Sequence, residues 1–148
     1  MYREILVPTD GSAPAQTAID HAVTLAGLCD ARIHGLFVTD SGTVEKVSGR
    51  YPQPTDSLET VGEEALAALE QRADTEGVET TVHVAGGTAH EEIVQYADDN
   101  DIDIIVMGTR GRQGVDRYLL GSVTERVVRT AEQAVLTVDE ATSAYPAE

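Results

Sequence analysis

Short apolar runs alternate with helical patterns from one end of the chain to the other, and no other feature restricts the fold so tightly. Strand-type runs occupy residues 3–8, 31–38, 78–84, 103–107 and 134–138. The segments between them carry apolar residues at helical spacing, so the chain reads β-α-β-α-β-α-β-α-β. Strands separated by helices pair in parallel, with right-handed crossovers that place helices on both faces of the sheet. A sheet covered on both faces explains runs as uniformly apolar as Ile5-Leu6-Val7 and Ile104-Ile105-Val106-Met107.

Local signals punctuate these elements. Ser12 is placed to cap a helix that opens with Ala13-Pro14, where the missing proline N–H costs nothing. Ala18, Ala22, Leu25 and Ala26, flanked by Ile19 and Val23, form its apolar stripe. Asp56-Ser57-Leu58-Glu59 resembles a capping box that opens a long helix to about Glu76, with Leu58, Val61, Ala65, Ala68 and Leu69 on one side. Thr88 with Glu91 forms a second such box, and Ser122 with Glu125 a third. Residues 39–55 read as a long polar loop of the kind that serves as a lid, and residues 139–148 as a frayed tail. The 148 residues are expected to form one domain over 1–138.

The loop after the fourth strand carries the chemistry. Gly108, Gly111, Gly114 and Gly121 punctuate a stretch that leads into the helix starting near Ser122. A glycine-rich loop feeding a helix N-terminus can present free N–H groups and the positive end of the helix dipole to a phosphate. In parallel sheets the ligand sits beyond the carboxyl ends of the strands, at the switch point. If the first and fourth strands are neighbours there, the Pro8-Thr9-Asp10-Gly11 turn meets this loop, and Asp10 offers a carboxylate to a ribose or base. Ser122 is expected to cap its helix and, since a cap can yield a donor when an anion arrives, also to join the N–H groups of Val123 and Thr124 on a phosphate. There is no Walker-type loop, and the glycine spacing is not that of a dinucleotide fold.

Charge points the same way. The chain has 26 acidic and 10 basic residues, a net charge of −16, with Lys46 its only lysine. Such a surface disfavours nucleic acid and anionic membranes, and it predicts a high-salt cytoplasm whose ions screen the self-repulsion. Residues 108–130 are the exception. Arg110, Arg112, Arg117, Arg126 and Arg129 stand against Asp116 and Glu125, a local +3 that leaves −19 on the other 125 residues. The island suggests an anionic ligand for Arg110 and Arg112; the bland alternative is surface arginines paired with nearby carboxylates. The opening residues do not resemble a signal peptide, and no run approaches the roughly 18 apolar residues of a membrane span, so a cytoplasmic protein is expected. Cys29 is the sole cysteine and is expected to be a small packing residue, and His21, His34, His83 and His90 lack ligand spacing, so ordinary packing or surface roles are expected for them.

Gly108, Gly111, Gly121 and Ser122 meet in full the G-x2-G-x9-G-[S/T] motif of the universal stress protein family. Residues 5–12, Ile-Leu-Val-Pro-Thr-Asp-Gly-Ser, resemble the family's first strand and turn, and Ala134 to Val138 its last strand. The resemblance implies a Rossmann-like three-layer α/β sandwich with a five-stranded parallel sheet in order 3-2-1-4-5 and four helices. It also implies the ATP-binding branch: Pro8, Thr9 and Asp10 on the adenosine side, the Val38 backbone at adenine, and Met107 and Gly108 by the ribose. Gly111, Gly121, Ser122, Val123 and Thr124 would meet phosphates that carry Mg²⁺. Many members dimerise through strand five. The implied function is nucleotide-dependent regulation in stress response, with at most slow ATP hydrolysis. Competing readings are a dimeric scaffold with a vestigial pocket, an adenylyl-transfer enzyme of a related fold, and a flavin module. The adenylyl-transfer motifs are missing, and few aromatic residues are available to stack a flavin ring.

Overall fold

The computed structural model describes residues 2–39, 58–110 and 120–140. Five strands form one parallel sheet: β1 (Glu4–Pro8), β2 (Arg32–Thr39), β3 (Thr80–Gly86), β4 (Ile104–Gly108) and β5 (Ala134–Val138). Their spatial order is β3-β2-β1-β4-β5. Four helices connect them: α1 (Ala13–Cys29), α2 (Leu58–Thr75), α3 (Ala89–Asp99) and α4 (Ser122–Thr130). The expected Rossmann-like α/β architecture and strand order are observed. β1 is central, with Ile5 in register with Ile33 of β2 on one side and Ile104 of β4 on the other.

Strand periodicity divides the core into two layers. Ile5, Val7, Ile33, Ile104 and Val106 point to one face, where Ala18, Ile19, Ala22 and Val23 of α1 and Leu69 and Ala73 of α2 cover them. Leu6, Leu36, Ile105 and Met107 point to the other, beneath Ile93 and Ala97 of α3 and Val127 of α4. β1 and β4 are therefore wrapped from both sides, whereas the edge strands β3 and β5 expose alternate residues, including Val84 and Leu136.

The helix ends follow their local chemistry, with three departures from the sequence reading. Ser12 caps α1, its Oγ accepting from the Ala15 N–H at 3.3 Å, and Asp30 ends the helix in the left-handed region. On α2, Ala65 and Leu69 are buried as expected, but Ala68 is exposed. Leu66 and Ala73 take its place, because the buried line follows helical spacing through 65, 66, 69 and 73. Residues 56 and 57 of the first expected capping box lie outside the described residues. Thr88 does precede α3, but its side chain makes no capping hydrogen bond. The third expected box does not form either, since Gly121 and not Ser122 is the N-cap of α4.

At the amino end of the sheet, polar groups satisfy one another. An Asp103 carboxylate oxygen accepts from the N–H groups of Arg3 and Glu4 at 2.8 and 2.9 Å, and these two bonds hold its carboxyl below the usual carboxylate range. His34 is buried, with Nδ1 2.8 Å from the Tyr96 hydroxyl and Nε2 2.8 Å from Glu4 Oε1. In the neutral ring Nε2–H donates to the carboxylate and Nδ1 accepts from the phenol. Burial, and then the Glu4 charge, raise the Tyr96 phenol above its ordinary value. Among the described residues no group of three or more His, Cys, Asp or Glu side chains is placed to hold a metal ion, and no helix is long and apolar enough to cross a membrane.

Candidate functional site: the carboxyl end of β1 and β4

The chain leaves β1 through a turn fixed almost entirely by its own polar groups. The Thr9 N–H donates to the Leu36 carbonyl at 2.9 Å, which prolongs the β1–β2 ladder. The Thr9 hydroxyl accepts from the Gly11 N–H at 3.2 Å, and Asp10 Oδ1 accepts from the Ser12 N–H at 3.0 Å. These are the side-chain turns that Thr and Asp favour. Gly11 sits at φ +80°, a conformation that strains any other residue. Pro8 and Thr9 are buried and Asp10 is half-buried, with the bond from the Ser12 N–H orienting its carboxylate.

β4 ends directly beside this turn. A Cβ on Gly108 would lie 2.9 Å from Pro14 Cβ and 3.0 Å from the Pro14 carbonyl carbon, so only glycine lets the first turn of α1 come this close. The two loops expected to converge do converge, because β1 pairs with β4 and α1 packs across both.

The far end of the glycine loop is pinned to the same place. The Gly121 N–H donates to the Thr109 carbonyl at 2.8 Å, and the Thr109 N–H donates to the Val138 carbonyl at 2.9 Å. The buried Thr124 hydroxyl donates to the Gly108 carbonyl at 2.8 Å. The start of α4 is thereby clipped to the end of β4. Thr124 was expected at the phosphates; its hydroxyl is engaged within the protein, which leaves only its N–H for a ligand.

The capping reading of Ser122 is corrected. Gly121 is the N-cap of α4, at φ −63° and ψ 156°, and as a glycine it supplies no side-chain cap. Ser122 is the first helical residue, and Glu125 pairs with Arg129 at 2.9 Å instead of reaching back. Glycine is an acceptable N-cap, so Gly121-Ser122 allowed either register, and the bonds to Thr109 and Gly108 select the earlier one. The first intrahelical bond runs from the Glu125 N–H to the Gly121 carbonyl. The N–H groups of Ser122, Val123 and Thr124 precede it and face out of the helix end.

Val38 at the end of β2, Met107 of β4 and Val123 of α4 all join the apolar cluster on the α3–α4 face, Met107 buried and the other two half-buried. Arg110, expected beside an anionic ligand, lies just past the end of β4, next to Thr109. Its side chain is only 14% exposed and is bound by carboxylates of its own chain, Glu140 in contact with Nη2 and Asp139 at 3.8 Å from Nη1. The alternative of surface arginines paired with nearby carboxylates describes Arg129, which is 73% exposed and pairs with Glu125. Gly111 and Arg112 lie outside the described residues. Sequence reasoning missed three features: the Thr124 hydroxyl clip, the Pro14 contact and the acidic partners of Arg110. The last two join residues far apart in the chain, for which no local pattern exists.

The universal stress protein family profile matches residues 1–139. Universal stress protein MJ0531 of Methanocaldococcus jannaschii is 36% identical over 140 residues, covering 93% of this chain and 82% of that protein. Protein MJ0577 of the same organism is 30% identical over 154 residues. Its solved structure superposes with a TM-score of 0.81 at 31% identity, covering 97% of this chain and 99% of that one. The universal stress protein of Archaeoglobus fulgidus, solved in complex with dAMP, has a TM-score of 0.71 at 23% identity over 93% of this chain and 98% of its own, a likeness of fold.

Proposed function

The chain belongs to the universal stress protein family, and from that premise we propose that it binds ATP between β1 and β4 and acts as a nucleotide-dependent regulator in stress response. One observation carries the reading: a helix N-terminus without a side-chain cap, clipped beside a turn that orients the Asp10 carboxylate. An anion at that helix end would accept from N–H groups that have no intrahelical partner and would gain from the helix dipole. The dAMP complex of a protein with this fold agrees with a nucleotide as the ligand.

In this reading Pro8, Thr9 and Asp10 line the adenosine side, with the Asp10 carboxylate accepting from ribose hydroxyls. The Val38 backbone meets adenine, and Met107 and Gly108 lie by the ribose. Gly111, Gly121, Ser122, Val123 and Thr124 meet the phosphates through N–H groups and the Ser122 hydroxyl. Mg²⁺ travels with the phosphates, neutralising charge that the protein's acidic surface would otherwise repel. No lysine stands at the phosphate end among the described residues, which favours holding ATP over turning it over. Arg112 is retained as a phosphate partner on charge alone.

The exposed edge of β5, with Leu136 38% exposed, favours a homodimer paired through Ala134 to Val138. The net charge of −16 fits a cytoplasm of high ionic strength. The test of the nucleotide reading is direct. Protein purified in molar KCl is denatured, and the released small molecules are resolved by ion exchange, alongside a thermal shift with Mg-ATP. Bound adenine nucleotide or a clear shift is expected, and Gly121→Val should remove both by crowding the helix start. A protein that carries no nucleotide and shows no shift defeats the proposal.

A further inference from the structure

The environment of Arg110 sets it apart from the other described arginines. It lies two residues beyond Gly108, next to Thr109, whose carbonyl holds the N-cap of α4. Its guanidinium is largely buried, yet Nη1 makes no hydrogen bond among the described residues; the approach of Asp139 at 3.8 Å is an ion pair too long for one. The Thr109 hydroxyl beside it is also buried and unbonded. A guanidinium has five donors and is costly to bury with some of them unused. Asp139 and Glu140 follow directly after β5, and the Glu140 carbonyl accepts from Thr17 of α1 at 3.4 Å, which lays this segment against α1. Two carboxylates therefore occupy, with incomplete geometry, a cation at the edge of the phosphate end of the site.

We propose that Asp139 and Glu140 act as an internal anion, holding Arg110 until the terminal phosphates of a bound nucleotide take it over and release the segment after β5. The inference rests on the nucleotide reading above. A phosphate oxygen can satisfy the guanidinium in the two-pronged geometry that Asp139 fails to reach. The exchange is near balance, because one charged contact replaces another, so it serves as a switch and not as a source of tight binding. Because the released residues continue β5, occupancy of the site is transmitted to the edge of the sheet.

The test is a binding cycle. Mg-ATP and adenosine are titrated by calorimetry into the wild type, Asp139→Asn/Glu140→Gln, Arg110→Gln, and the three changes together. The double variant should bind ATP about two- to fivefold more tightly, the range of one partly exposed ion pair. Its affinity for adenosine should be unchanged, and the gain should vanish when Arg110 is also replaced. A double variant no tighter than wild type overturns the latch alone. So does a gain that persists without Arg110 or extends to adenosine, since that is merely the removal of negative charge. Binding seen only in the double variant supports the latch in a stronger form. Absence of ATP binding from every variant overturns the nucleotide reading and the latch with it.

Discussion

The two ends of the sheet are built from similar residue types and put them to opposite uses. At the amino end, Asp103 accepts from two backbone N–H groups, and His34 has a partner on each ring nitrogen. At the carboxyl end, Thr9, Asp10 and Thr124 serve to shape the backbone, and the N–H groups at the start of α4 remain outside any intrahelical bond. Polar groups at the amino end close on each other and stabilise the fold. Those at the carboxyl end shape the turn after β1 and fasten the start of α4 to β4.

Substitutions can break this contrast. The largest effect is expected at Gly108. Gly108→Val drives a side chain into Pro14 and should cost about 3 kcal/mol of stability, by urea unfolding in molar KCl, together with ATP binding. Stability within about 0.5 kcal/mol of wild type would mean that α1 does not abut β4 as described. Next is His34→Leu at the opposite end, which leaves the Tyr96 hydroxyl and the Glu4 carboxylate without their shared partner. A loss of about 2 kcal/mol is expected, with ATP affinity unchanged. A parallel loss of nucleotide affinity would show that the two ends are not independent. The smallest effect belongs to Asp103→Asn. The folded-state pKa of Asp103 is depressed, so its contribution is present above the unfolded value and is lost as pH falls through the folded one. Because the group is exposed, the difference from wild type should stay below about 1 kcal/mol at neutral pH. It should disappear in acid, and a difference that grows on acidification would reverse the assignment.

The fold was legible because its main determinant is local and repetitive. The paired faces of Ile5 and Val7 against Leu6, and of Ile104 and Val106 against Ile105, follow from a period of two that the apolar runs carry on their own. Strand order was not local, and only the resemblance implied it. At the site, Asp10 and Ser12 behave as their side chains dictate, and Gly11 takes the positive φ that a residue without a side chain allows. Gly121 and Ser122 show where reading stops. Either can precede a helix, and the choice falls to Thr124 and Thr109, which act through β4. Arg110 shows the same limit in electrostatics. Local charge marked it as a ligand for an external anion, but carboxylates thirty residues away reach it first.

The clip between Gly121 and Thr109 bears on the thermodynamics of recognition. Closing a loop costs configurational entropy whenever its ends are brought together. Here the hydrogen bonds that close it belong to the folded protein, so that cost is met when the chain folds and not when a ligand arrives. The donors at the start of α4 are then already in position, and an incoming phosphate has mainly its own freedom and its own water to give up.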